Sequence, residues 1–156
     1  MDRAAAEPAE ILADDIALDT DARRALSVEV DADTLALVER ALEAERDPLT
    51  AFFSEALAER EGPGFLRYGP GGFYGPHRDR GSVPSWPGAA RRTIAVVIFL
   101  NDRFSGGVLR LHGDDATRDV VPREGTLVAF PAATLHEVVP VVEGTRDTIV
   151  DWFYSG

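Results

Sequence analysis

Apolar and polar positions along the chain change rhythm once, near Gly64. Before it, the apolar residues recur at helical spacing. From Asp33, an N-cap residue, Leu35, Val38 and Leu42 share one face. A second helix is expected where Asp47 caps, Pro48 takes the first helical position, and Leu49, Phe52, Phe53, Ala56 and Leu57 form a stripe. Glu61-Gly62-Pro63-Gly64 should end it, giving a helical support over 33–61. Ala25–Val30 alternates and predicts an edge strand, whereas residues 1–22 have weak periodicity and predict a loosely ordered arm.

After Gly64 the period shortens to two. Short β-type runs alternate with Gly and Pro punctuation: Phe65–Tyr68, Phe73–Asp79, Thr93–Leu100, Val108–His112, Asp119–Val121, Thr126–Phe130, His136–Val142 and Thr148–Tyr154. Short strands at this spacing predict a jelly roll over 65–154, with the helices covering one sheet from outside. The fold class expected is therefore α+β, mainly β, in a single domain over 23–156.

Composition narrows the chemistry. With 156 residues, 45% of them apolar, one core is expected. Cysteine is absent, which excludes disulfides, thiolate metal sites and thiol nucleophiles. Any metal must sit on imidazole and carboxylate, which suits iron, manganese or zinc. The start, MDRAAAEPAE, lacks a basic segment followed by an apolar run, and Ile94–Leu100 is too short to cross a bilayer. A cytoplasmic protein without a membrane partner is expected. Residues 1–61 carry 17 acids against 6 arginines, while 62–156 carry 10 of each. That lack of basic surplus disfavours nucleic acid as a partner.

Two of the three histidines stand in suggestive places. His77 and Asp79 are two apart in a β-type segment, so both side chains address one face. His136 follows on another strand. Two histidines and a carboxylate make the facial triad of non-haem Fe(II) oxygenases, which leaves positions open for co-substrate and O₂. A His-X-Asp pair also occurs as plain surface chemistry, and His136 alone could be a hydrogen-bonded strand-end histidine. His112 has no carboxylate at strand spacing and is set aside. Arg146 and Thr148 share a face of the last strand. A guanidinium pointing inward needs an anion, and a dicarboxylate with one end on iron would supply it. Pointing outward, Arg146 would pair with Asp147 or Glu143 instead.

The segment Arg67-Tyr68-Gly69-Pro70-Gly71-Gly72-Phe73-Tyr74-Gly75-Pro76-His77-Arg78-Asp79 resembles the motif before the first two iron ligands in prolyl 4-hydroxylase-like Fe(II)/2-oxoglutarate-dependent dioxygenases. The likeness continues through Ile94–Asn101, the turn at Gly106-Gly107, Pro122–Phe130, His136–Val141 and Gly144–Phe153. It implies His77, Asp79 and His136 as iron ligands, and Arg146 for the distal carboxylate of 2-oxoglutarate, with Thr148 beside it. Tyr68 stands where many relatives hydrogen-bond the co-substrate, and Tyr74 and Trp152 where they line the substrate side. Phe99 replaces a second co-substrate tyrosine of some relatives and cannot donate that bond. The first 60 residues are short for the family.

Between the first ligand strand and the next lies the loop Arg80–Arg92, locally basic, with Trp86 at its centre. Either the loop is a flap that brings Arg80 and Trp86 to substrate, the reading we expect, or it is a solvated connector. The resemblance implies hydroxylation of a C–H bond with release of succinate and CO₂, using Fe(II), 2-oxoglutarate, O₂ and ascorbate as reductant. A peptidyl proline leads as substrate. A free amino acid or natural-product scaffold is the alternative within the enzyme class, and a non-catalytic metal-binding sensor or interaction module the alternative outside it. Oligomeric state is left open.

Overall fold

The structure, a computed structural model, describes residues 6–8, 22–81 and 87–156. In chain order its elements are β1 (Ala6–Pro8), β2 (Arg23–Arg24), β3 (Leu26–Val28), α1 (Ala32–Ala44), α2 (Arg46–Phe53), β4 (Leu57–Arg60), β5 (Gly64–Tyr68) and β6 (Phe73–His77). A 3₁₀ turn (Pro87–Arg91) follows, then β7 (Arg92–Phe99), β8 (Ser105–Gly106), β9 (Leu109–His112), β10 (Thr117–Val120), β11 (Leu127–Pro131), β12 (Leu135–Val138), β13 (Val141–Glu143) and β14 (Arg146–Ser155). The arm expected over 1–22 lies outside the described residues, apart from Ala22 and the β1 segment that pairs with β3.

The larger sheet runs β1-β3-β5-β14-β7-β11, with β4 pairing the end of β14, and the smaller runs β10-β9-β12-β6-β2. All pairings are antiparallel, and β13 with β8 makes a separate two-stranded ladder. These two facing sheets form the expected jelly roll. Alternation along β14 divides its labour. Ile149 and Phe153 face outward into the helices, while Arg146, Thr148, Val150 and Trp152 face the space between the sheets.

The helices pack on the outer face of the larger sheet, as the pattern predicts. Leu42 and Leu49 sit against Leu57, Ile94, Val96 and Phe153. Leu42 is wholly buried, a contribution of about 2 kcal/mol from its side chain alone. Charges fasten the same face: Arg67 meets its cross-strand partner Asp147 at 2.8 and 3.0 Å, and Arg60 meets the fully buried Asp151 at 2.6 Å.

Several boundaries differ from the pattern. The α1 cap is Asp31, whose carboxylate accepts the Thr34 amide at 2.7 Å, not Asp33, which lies in the first turn. Pro48 is the third residue of α2, where its missing N–H is equally harmless because the first four amides have no intrahelical partner. The second helix stops at Phe53, because Ser54 turns left-handed (φ 54°), and Leu57 belongs to β4 rather than to a helical stripe. Phe52 is 80% exposed, so only the Leu49–Phe53 edge of that short helix meets the sheet.

Candidate active site

β6 and β12 lie side by side with His77 directly opposite His136. The cross-strand pair shares the inner face, and the rings lie 4.2 Å apart. Asp79 follows β6 after a bend and completes the group: its Oδ1 is 3.2 Å from His77 Nε2 and its Oδ2 3.5 Å from His136 Nε2. One ligand atom from each residue lies within 4.8 Å of the others. The three candidates picked from the sequence therefore converge.

Their hydrogen bonds fix what they offer. His77 Nδ1 donates to the Gly75 carbonyl at 2.8 Å, and His136 Nδ1 to the Thr134 carbonyl at 2.9 Å. A carbonyl only accepts, so each Nδ1 carries the proton and each Nε2 presents a lone pair to Asp79. Burial lowers the His136 pKa, which disfavours a second proton on its ring. Burial alone would raise the Asp79 carboxyl, but its contacts with His77, His136 and the Trp152 N–H outweigh it and hold the group below the usual carboxylate range. Two imidazole lone pairs facing a carboxylate call for a cation between them. The donor set, two nitrogens and one oxygen on one side, fits Fe(II).

The same cavity holds Arg146, which is 2% exposed. Its Nε donates to the Gly107 carbonyl at 2.9 Å, and one terminal nitrogen lies 3.4 Å from Thr148 Oγ1. The guanidinium carbon is 5.0 Å from the Tyr68 ring centre and 5.4 Å from that of Phe99. Among the described residues no carboxylate pairs with it, so the outward-facing alternative through Asp147 or Glu143 is overturned. Burial lowers its pKa, the mark of a cation short of counter-charge. Gly107 (φ +60°) favours glycine here, since its backbone is left-handed and a Cβ would come within 3.1 Å of Arg146 Cδ.

Tyr74 reaches the site by an irregularity. It stands three positions before His77, which would put it on the opposite face of a regular strand. Yet Tyr74 pairs with Val138 while His77 pairs with His136, so β6 carries one residue more than β12 over this span. This bulge returns both rings to the inner face, where they stack at 3.5 Å. Burial pushes the Tyr74 phenol up to about 12. Trp152 also faces the cavity, and its indole N–H donates to Asp79 Oδ2 at 2.9 Å. Arg80 is exposed and stands outside the cavity lining, which takes Arg78 instead. Trp86 lies outside the described residues.

Sequence reasoning missed Arg92, which is 4% exposed and stacks 3.6 Å over the Trp152 ring. Its only signal was an arginine opening an apolar strand. Arg23 of β2, 4.7 Å over the Tyr74 ring, was missed as well. His112, set aside for want of a carboxylate, has one on the adjacent strand: Glu137 Oε2 at 3.2 Å, away from the cavity.

A jelly roll with two histidines, one carboxylate and a buried arginine in one cavity defines a class, and comparison with known proteins names it. Residues 63–154 match the 2OG-Fe(II) oxygenase superfamily, and the chain belongs to that family. It is 36% identical over 93 residues to a PKHD-type hydroxylase of Picosynechococcus, covering 58% of this chain and 41% of that protein. It is 31% identical over 132 residues to one of Parvibaculum lavamentivorans, covering 72% and 58%. The chain thus spans about half the length of these curated relatives. A prolyl-4-hydroxylase of Pseudomonas putida has the same fold at TM-score 0.70 and 27% identity, covering 86% of this chain and 73% of that one. Family and triad together support Fe(II) and 2-oxoglutarate as the groups this site serves. Among the described residues no helix is long and apolar enough to cross a membrane.

Proposed function

We propose that this chain is a 2-oxoglutarate-dependent hydroxylase whose catalytic unit is residues 23–156. His77, Asp79 and His136 hold Fe(II), and Arg146 binds the far carboxylate of 2-oxoglutarate. The observation that carries this reading is Arg146: a buried guanidinium with no carboxylate partner among the described residues, in the same cavity as three converging metal donors. Burying such a charge is costly unless an anion joins it, and a dicarboxylate anchored on the metal places one there.

Fe(II), when bound with 2-oxoglutarate and O₂, supplies the oxidising power for inserting hydroxyl into a C–H bond, with succinate and CO₂ as products. The chain's residues do the rest. Arg146 offers a planar pair of N–H donors, with the Thr148 hydroxyl and the Tyr68 phenol lining the same end of the cavity. Leu66, Leu109, Val138 and Val150 line the walls and keep water out. Asp79 occupies the third ligand position, which favours hydroxyl over halide transfer, and Trp152 fixes one of its oxygens.

For substrate we favour a prolyl residue in a peptide or protein, supported by the fold match at 27% identity to a prolyl-4-hydroxylase. Tyr74 stacked on His77, and Trp152, form the aromatic side that would meet it. Ascorbate is the reductant we propose for maintaining the metal, and nucleic acid is not proposed as a partner. The test is anaerobic addition of Fe(II) and 2-oxoglutarate, which should give a weak visible charge-transfer band that His136→Ala abolishes. Proline peptides should then stimulate succinate formation and gain one oxygen in mass. Absence of both band and succinate, with His136→Ala behaving as wild type, would defeat the oxygenase reading.

A further inference from the structure

We propose that Glu61 is a positioning residue for the metal-binding carboxylate, acting through Arg92 and Trp152. The inference rests on the metal-site reading above and adds residues from outside the cavity's reacting side. Glu61 was legible in the sequence only as part of the stop after the helices.

The contacts form a closed ring. The Glu61 carboxylate receives Arg92 as a fork, Nε to Oε1 at 2.8 Å and one terminal nitrogen to Oε2 at 2.6 Å. Tyr154 donates its hydroxyl to the same Oε1 at 3.0 Å. Burial, with Glu61 beside it, pushes the Tyr154 phenol up to about 12, so it remains a donor across the working range. Held by that fork, Arg92 sits over the Trp152 ring, its guanidinium carbon 3.6 Å from the ring centre, and points a terminal nitrogen at the Asp79 carbonyl at 3.4 Å. The Trp152 indole N–H then meets Asp79 Oδ2 at 2.9 Å. The ring closes through the backbone, because the Glu61 amide donates to the Trp152 carbonyl at 2.9 Å.

Geometry gives this ring a task. A carboxylate that binds a metal through one oxygen can rotate about its Cβ–Cγ bond unless its other oxygen is tied. Trp152 ties it, but a large indole on the inner face of a cavity could itself swing. Arg92 covers one face of that indole, and Arg92 is fixed by a planar two-point pair, which sets an orientation as well as a distance. Glu61 therefore acts two residues away from Asp79, through a stack and a hydrogen bond, without touching metal or substrate.

The experiment is a Co(II) titration of the metal-free protein, followed by its visible d–d absorption, with urea unfolding of the same samples in parallel. Glu61→Gln, Trp152→Phe and the double variant are compared with wild type. We expect each single variant to weaken Co(II) binding by about tenfold and to alter the d–d envelope, with the double variant no weaker than Trp152→Phe alone. Tyr154→Phe, a milder change that leaves the fork intact, should weaken binding by about two- to threefold and serves if Glu61→Gln does not fold. Lowered urea stability with unchanged Co(II) affinity and spectrum would overturn the proposal and leave Glu61 a packing residue. Additive losses in the double variant would overturn the route through Trp152. Failure of wild type to bind Co(II) at all would overturn the metal-site reading itself, and this inference with it.

Discussion

Replacing Arg146 with methionine should move two measurements in opposite directions. The guanidinium is 2% exposed and, among the described residues, faces no carboxylate. Burying an ion costs several kcal/mol even after relaxation. Against that stands one short hydrogen bond, to the Gly107 carbonyl at 2.9 Å, about 1.5–3 kcal/mol for a charged donor. The Tyr68 and Phe99 rings add about 1 kcal/mol each. Arg146 is thus between neutral and about 2 kcal/mol destabilising while no anion is bound, and methionine fills similar length without the charge. Arg146→Met is expected to raise the melting temperature of the ligand-free protein, by about 2–4 °C for each kcal/mol gained. The same change removes a two-point charged pair to 2-oxoglutarate, about 3–4 kcal/mol, or a 10²–10³-fold weaker affinity. Calorimetric melting without ligand, and 2-oxoglutarate titration with Mn(II) bound, read the two effects separately. A variant that melts well below wild type yet keeps its 2-oxoglutarate affinity would refute the argument, since Arg146 would then be a structural cation.

Two further outcomes concern the scaffold. Ser54 sits at φ 54° at the end of α2, a conformation that glycine adopts without steric cost, so Ser54→Gly should add about 0.5–1 kcal/mol, seen as a higher urea midpoint at unchanged slope. Arg60→Met strands the fully buried Asp151 and should cost about 3–5 kcal/mol at pH 7. Burial already raises the Asp151 pKa, so folding favours its protonated form: that stability is complete below the unfolded value near pH 4 and is lost as pH rises through the folded one. The deficit of Arg60→Met should therefore shrink as urea unfolding is repeated from pH 7 down towards pH 4, and a deficit independent of pH would contradict it.

How much could be read in advance depends on whether the signal was local. Arg146 with Thr148 on one face of the last strand follows from alternation alone. Alternation reads His77 and Asp79 the same way at spacing two, although β6 ends at His77 and a bend carries Asp79, and the structure brings all four to one cavity. The limits of the strands came from Gly and Pro punctuation and hold within a residue or two for most of them. The end of α2 did not, because Leu57 continues the i, i+4 spacing of Phe53 by coincidence, and only the left-handed turn at Ser54 breaks it. Glu61 and Arg92 are 31 positions apart and meet only because β14 pairs with both β4 and β7, and Trp152 on β14 completes the group. No window along the chain contains that triangle. His112 and Glu137 illustrate the same gap, being partners across a ladder whose register the sequence does not state.

The extra residue in β6 gives that strand one position of slack between Tyr74 and His77. Removing Gly75 would make the stretch regular: Tyr74 would then stand two residues before His77, still opposite Val138 and still on the inner face. The wall that meets substrate and the centre that reacts are thus buffered from each other, because a one-residue loss between them is absorbed where the ladder already yields. The bulge works as an expansion joint, taking up a change in length without turning either end of the strand.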